Sequence, residues 1–402
     1  MTPRADPQVG RANPLTELLD RDPREWRSAL DRRYTELEDV LAGRRRAVVY
    51  PAARMGREAA ARLVAAGVQV VALGDRNPEL QGSDIDSLPV LSPSQIAADH
   101  RSDVILVAST MYDSVICEYF RGRGCESVMP VGYLNLRLPD IFGAREYDGG
   151  WNAAADAANR SDIETAFASL SDSESQRVFV GKLAYYLTLE KAHLDGIRST
   201  KTIYFDPDVY ELGQDEVVVD GGAFIGDTLE SFLDACQGQF GAYFAFEPDR
   251  TSYSKLAALA AADRSRITAV RAGLAGQTSS AFLLETEKAD SRLLTGEESG
   301  SKKVEVIRLD EYFEGRREPS LIKMDIEGAE ADALTGAKQL LKRASPTVAV
   351  SAYHFPTDLW TLPLLIKRLM PDSTIFLRHY TREVDDTVCY AITDGRSRGR
   401  AT

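Results

Sequence analysis

The sequence predicts an α/β protein made of two parallel-sheet domains in series, a smaller one followed by a larger one. Three observations lead there. At 402 residues the chain exceeds one typical domain. Two stretches, residues 47–136 and 216–392, alternate short apolar runs with helical spacing, the pattern of a parallel sheet covered on both faces. The last two strand signals, Thr374 to Leu377 and Val388 to Ile392, suggest an antiparallel hairpin that closes the larger sheet.

In order along the chain, residues 1 to about 12 read as disordered. Leu15, Leu18, Leu19, Trp26, Leu30, Tyr34, Leu37 and Leu41 then recur at helical spacing, broken near Pro23, so that a tail and helices fill 1–43. A Rossmann-like α/β domain is expected over 44–137. Its strands are Ala47 to Tyr50, Gln69 to Leu73, Pro89 to Leu91 and Val104 to Val107. Its helices run through Met55, Ala59, Leu63 and Val64, and over Ser114 to Gly122. A helical connector is expected over 151–200, with Phe167, Leu170, Val178, Phe179, Leu183, Tyr186 and Leu187 as core contacts, and the larger domain over 201–395.

Composition narrows the function classes. Hydrophobic residues are 44% and charged residues 27%, enough to bury a core. A net charge of -13 argues against a general nucleic-acid or anionic-membrane binder. The basic tail, Arg396, Arg398 and Arg400, reads as solvated. Cys117, Cys125, Cys236 and Cys389 form no C-x-x-C pair and read as reduced thiols of a cytoplasmic protein. No apolar run marks a secretory signal or a membrane-spanning helix.

The chemistry concentrates where the larger domain opens. Val217-Val218-Val219 is a buried strand ending in Asp220, followed by a turn with Gly221, Gly222 and Gly226 and by a helix whose apolar face is Leu229, Phe232, Leu233 and Cys236. Ligands of open α/β sheets bind outside the carboxyl ends of the strands, and glycines there let a ligand approach the backbone. A dinucleotide fingerprint fails, because Asp220 and Ile225 stand where its first and third glycines belong. The pattern D-x-G-x-x-x-G of Asp220, Gly222 and Gly226 fits S-adenosylmethionine instead, with Asp220 organising the turn and meeting the ammonium group. The next strand, Ala242 to Phe246, ends in Glu247, placed to accept both ribose hydroxyls. The strand Leu321 to Met324 contains Lys323, whose burial requires a partner, and Asp325 is the expected one. Asp325, Glu327 and Glu330 cluster at that strand end and the following turn, where helix capping alone would account for Glu327 and Glu330.

These blocks resemble the FkbM-type methyltransferases. The resemblance rests on Tyr204-Phe205-Asp206, on Val219 to Ala223 with Gly226-Asp227-Thr228, and on Phe246 to Asp249. It continues through Leu309-Asp310-Glu311, Ile322 to Glu330, Tyr353-His354 with Asp358-Leu359-Trp360, and Leu377 to Tyr380. It spans roughly residues 200 to 392, and Lys-x-Asp-x-Glu-Gly-Ala-Glu is its most specific block. The resemblance implies a seven-stranded Rossmann-like methyltransferase fold with a reversed last strand. It also implies methyl transfer to an oxygen of a sugar, glycan or secondary metabolite. By position, Asp220, Gly222, Gly226 and Glu247 look like cofactor residues, and Asp325, Glu327 and His354 look like the acceptor side. The first domain resembles the small Rossmann-type domain that sometimes precedes this family. Its turn, Tyr50 to Gly56, has Pro51 and Ala53 where a phosphate-binding turn has glycines, although Asp75 stands about where a ribose acid would.

Methyl transfer needs the acceptor oxygen, methyl and sulfur in line and a group to take the hydroxyl proton, for which His354 or Asp325 is expected. A divalent metal on Asp325 and Glu327 is the lesser option, as no full ligand set is visible and none is expected. Two rival readings are a nucleotide-sugar or nicotinamide enzyme working through the first domain, and a non-catalytic binding protein with the methyltransferase fold.

Overall fold

The computed structural model describes residues 13–110, 112–142, 150–284, 292–294, 296 and 300–393. The segment expected to be disordered, 1–12, and the arginines of the tail lie outside them. The chain divides into two compact units, one of residues 1–160 and 180–196, the other of 161–179 and 197–402.

The first unit opens with helices Pro14–Asp20, Pro23–Arg33 and Glu36–Leu41. Asn13 and Asp22 cap the first two through their side chains, each followed by a proline at the first helical position, where its missing N–H costs nothing. Among the described residues its sheet has six strands: β1 (Ala47–Tyr50), β2 (Val70–Gly74), β3 (Asp84–Ile85), β4 (Leu88–Leu91), β5 (Val104–Val107) and β6 (Val128–Met129). Their order is β3-β4-β2-β1-β5-β6, parallel except for β3 at the edge. β1 and β5 are buried at every position, which is why they read as unbroken apolar runs. The two-residue strands β3 and β6 are too short to show a period. Helix Arg54–Ala65 buries Ala59 and Leu63 as expected, but Val64 is exposed.

The second unit contains β7 (Val217–Gly221), β8 (Ala242–Phe246), β9 (Ile267–Val270), β10 (Gly273–Leu274), β11 (Ser279–Leu284), β12 (Arg292–Leu294), β13 (Ser301–Ile307), β14 (Leu321–Met324), β15 (Thr347–Ser351), β16 (Thr374–His379) and β17 (Thr387–Ile392). Seven of these, among the described residues, form one sheet in the order β16-β17-β15-β14-β7-β8-β9. β17 runs antiparallel to β15 and β16, and the other neighbours are parallel. This is the expected methyltransferase architecture with its reversed last strand. β10 to β13 form a separate four-stranded sheet for which the sequence showed no distinct signal.

Helix Asp227–Ala235 turns the expected face inward: Leu229 and Phe232 are fully buried, and Leu233 and Cys236 pack beside them. Burying a side chain such as Phe232 contributes about 1.5–3 kcal/mol. Strand order reverses at β7, with β8 on one side and β14 on the other. The carboxyl ends of these three strands are therefore at the switch point, where ligands bind in open α/β sheets.

Candidate active site

The turn after β7 is built by backbone crowding. A Cβ on Gly222 would lie 1.8 Å from the Asp325 carbonyl oxygen, and Gly222 has φ +70°. Gly226, at φ +100°, caps helix Asp227–Ala235. Both glycines are thus required by the chain itself. At Gly222 the atom filling the side-chain space is the carbonyl oxygen at the exit of β14. Between them Phe224 is held at φ +46°, a region that side chains avoid.

Asp220 is fully buried at the end of β7, paired in register with Lys323 of β14. Its Oδ1 lies 2.9 Å from Lys323 Nζ, and its Oδ2 accepts from the Tyr243 hydroxyl at 2.7 Å. Lys323 Nζ also donates to the carbonyls of Gly221 and Gly222, at 3.1 and 2.9 Å. Burial works against the lysine's charge, but Asp220 and Asp325 outweigh it and hold its pKa above the ordinary value. One expectation is corrected here. The ion-pair partner of Lys323 is Asp220 rather than Asp325. Asp220, fully buried against Lys323 and Tyr243, organises the turn.

Glu247 follows β8 on one side of that turn. Its carboxylate accepts from the Phe224 N–H at 2.9 Å and the Asp249 N–H at 2.8 Å. Two carboxylate oxygens have about four lone-pair positions, so half remain for a ligand. Burial pushes its pKa up to about 7 against the lowering effect of those two N–H groups.

On the other side, Asp325 follows β14. Tyr204 donates to its Oδ2 at 2.8 Å and Tyr353 to its Oδ1 at 3.1 Å, while Tyr204 and Ser351 hydroxyls are 3.1 Å apart. Burial would raise its pKa, but the Lys323 and His354 charges and the Tyr204 and Ser351 hydroxyls win and hold it low. Glu327 stands at φ +54° in the loop that follows. Glu330 opens helix Glu330–Gly336 and reaches back to accept the Ile326 N–H at 2.8 Å.

His354, whose side chain is 8% exposed, faces all three acids: Nδ1 is 3.0 Å from Glu330 Oε1, and Nε2 is 3.4 Å from Asp325 Oδ1 and 3.6 Å from Glu327 Oε2. Burial opposes its charge, but Glu330 first, then Asp325 and Glu327, raise its pKa to about 10. The three carboxylates thus make this imidazole a stronger base than a free histidine.

The structure thus gathers Asp325, Glu327 and His354 into one cluster, and sets Glu247 across β7 from them. Gly221 pairs with Phe246 on one side and Met324 on the other, so the strand ends that carry Glu247 and Asp325 are two strand spacings apart, about 10 Å. Tyr204, Tyr353 and Ser351 were not foreseen as partners of Asp325, although both tyrosines lie in the blocks that carried the resemblance. Phe355, 40% exposed beside Gly328, and Ile225, 36% exposed in the glycine turn, are apolar surfaces at the same edge. Other blocks are structural: Asp310 caps helix Lys338–Ala344 by accepting the Leu340 N–H, and Arg378 pairs with Asp172 at 2.6 Å.

Residues 220–386 match the family described as Methyltransferase FkbM domain. Among solved structures the chain is similar to a methyltransferase FkbM from Methylobacillus flagellatus KT, at 25% identity over 92% of this chain and 100% of that one, with TM-score 0.69. Fainter likeness extends to fibrillarin from Aeropyrum pernix, in complex with S-adenosyl-L-methionine (14% identity, 45% of this chain, 69% of that chain, TM-score 0.29). It extends also to a precorrin-6y C5,15-methyltransferase from Geobacter metallireducens (10% identity, 45% of this chain, 81% of that chain, TM-score 0.28). No curated protein matches the chain. The matched segment, Asp220 to Asp386, contains the glycine turn and both acidic flanks, so the site described above lies within the likeness to the methyltransferase FkbM domain.

Proposed function

We propose that this methyltransferase uses S-adenosylmethionine and methylates an oxygen, the hydroxyl of a sugar, glycan or secondary metabolite. Glu247 carries the reading. It is a nearly buried carboxylate at the end of the second strand, fixed by two backbone N–H groups with lone pairs left over. A vicinal diol such as a ribose supplies the two donors that such a group lacks. The turn beside it has Asp220 and Ile225 where a dinucleotide fingerprint has its first and third glycines, which favours an adenosyl group over a dinucleotide.

When bound, S-adenosylmethionine supplies a methyl group on a sulfonium, ready for displacement. The chain's own part is to align and to move one proton. Glu247 holds the adenosyl end on one side of β7. Asp325, fixed by Tyr204 and Tyr353, and Glu327 present carboxylates on the other side, where an acceptor hydroxyl would be held. Asp325 or Glu327 would take the hydroxyl proton and release it to water as the acceptor oxygen gains the methyl group.

Isothermal titration of the full chain with S-adenosylmethionine and its demethylated product tests the cofactor. Binding of both is expected, together with label transfer from methyl-labelled cofactor into hydroxyl-bearing extract fractions. Absence of affinity for either compound would sink the proposal.

A further inference from the structure

We propose that Asp325, Glu330 and His354 form a binding site for one divalent cation on the acceptor side of β7. Each offers one ligand atom, and these atoms all lie within 4.8 Å of one another. Donors on opposite sides of a divalent cation at about 2.0–2.4 Å are about 4–4.8 Å apart, so the three could share one ion. An acidic cluster alone would mean little, since carboxylates gather at helix starts for dipole reasons. The independent observation is His354. Its side chain is more than nine-tenths buried, and neither ring nitrogen has a hydrogen-bond partner. The carboxylate oxygens at 3.0 to 3.6 Å stand around the ring without the alignment of a hydrogen bond. Buried polar atoms are normally satisfied, and an orphaned one calls for a missing partner such as an ion.

The surroundings fit that partner. Metal-ligating carboxylates are usually oriented by further hydrogen bonds. Asp325 is so held by Tyr204 and Tyr353, and Glu330 by the Ile326 N–H. Glu327 adds a third carboxylate near the ring. One imidazole with carboxylates suits a cation that accepts both nitrogen and oxygen, of the Mn²⁺ or Fe²⁺ type, better than an all-oxygen or all-thiolate site. The site lies on the side of β7 opposite Glu247, and its catalytic use rests on the proposed function. There the ion would bind the acceptor oxygen and lower the acidity barrier of its hydroxyl, the proton leaving to Glu327 or water.

The test is a Mn²⁺ titration of the full chain followed by electron paramagnetic resonance, with a cofactor titration on the same preparation. One Mn²⁺ per chain is expected. Binding should weaken at least tenfold in His354→Ala and in Glu330→Gln, the latter keeping an oxygen for the Ile326 N–H so that a folding defect in one variant leaves the other as a readout. No bound Mn²⁺ at millimolar concentration, or binding unchanged in both variants, overturns the site. Mn²⁺ failure with S-adenosylmethionine binding intact rejects the cation alone. Mn²⁺ binding without cofactor affinity upholds the cation and rejects the proposed function.

Discussion

Two strand–turn–helix units can be compared in this chain, one after β1 and one after β7. Both are the first parallel strand of their sheet, both lie where strand order reverses, and both use a glycine to bring two backbones together. A Cβ on Gly56 would lie 1.9 Å from the Pro51 carbonyl oxygen, much as one on Gly222 would strike Asp325. What differs is the chemistry at the strand ends. After β2, Asp75 spends one oxygen on the Asn77 N–H at 2.8 Å and closes its own turn. After β8, Glu247 is clamped from two sides with capacity to spare, and after β14 an acid cluster surrounds a buried histidine. Fold and switch point alone do not make a site. The difference lies in how firmly the strand-end acid is held, by one N–H of its own turn at Asp75 and by two N–H groups, one from the β7 turn, at Glu247, and in the acids and histidine gathered after β14.

The largest effect should come from Lys323, which has no counterpart in the first sheet. Lys323→Met leaves Asp220 charged and buried with only Tyr243, and removing one partner of a buried pair costs about 3–5 kcal/mol. Hydrogen exchange can read this strand by strand. Amides of β7 and β14 are expected to lose protection, while those of β1 and β5 in the same molecule serve as reference. Equal loss in both sheets, or none in either, would show that the pair does not hold the second turn.

Glu247→Gln comes next and separates binding from stability. The variant loses a charged acceptor worth about 1.5–3 kcal/mol per hydrogen bond, so affinity for S-adenosylmethionine should fall by about tenfold to a hundredfold. The pH profile follows from the raised pKa of about 7. Only the carboxylate accepts from both ribose hydroxyls, so wild-type affinity should decline as pH falls through about 7. Stability runs the other way. The folded chain holds this proton more tightly than the unfolded chain, whose value is near 4.5, so the contribution of Glu247 to stability falls as pH rises between 4.5 and about 7. The glutamine variant should lose both slopes. A flat wild-type profile would remove Glu247 from the cofactor.

The sequence made the strands of both sheets legible wherever burial was two-sided, because β1, β5, β8 and β14 are apolar or paired at every position. It was silent on β3 and β6, which are too short for a period, and on the four-stranded sheet, whose longer strands β11 and β13 are half-exposed. At the site, the positions of Asp220, Glu247 and Asp325 at strand ends could be read from residue order alone. Partnership could not. Lys323 pairs across the strand with Asp220 rather than along the chain with Asp325, because parallel register sets the two opposite each other. Tyr204 reaches Asp325 from 121 residues away. Glu330 read as a helix-start acid, and that reading was half the truth, since the same oxygen that caps Ile326 also faces His354.

The smallest expected effect belongs to the first unit and closes the comparison. Asp75 stands where a ribose acid would in a nucleotide-binding turn, yet its visible task is local. Asp75→Ala removes one hydrogen bond to the Asn77 N–H, a loss of about 0.5–1.5 kcal/mol. Affinity for S-adenosylmethionine should stay within twofold of wild type, and nicotinamide dinucleotides should show no heat of binding to either protein. Dinucleotide binding abolished by this variant would reverse the contrast between the turns. It would give the first unit a ligand of its own and make Pro51 and Ala53 tolerated departures from a phosphate-binding turn.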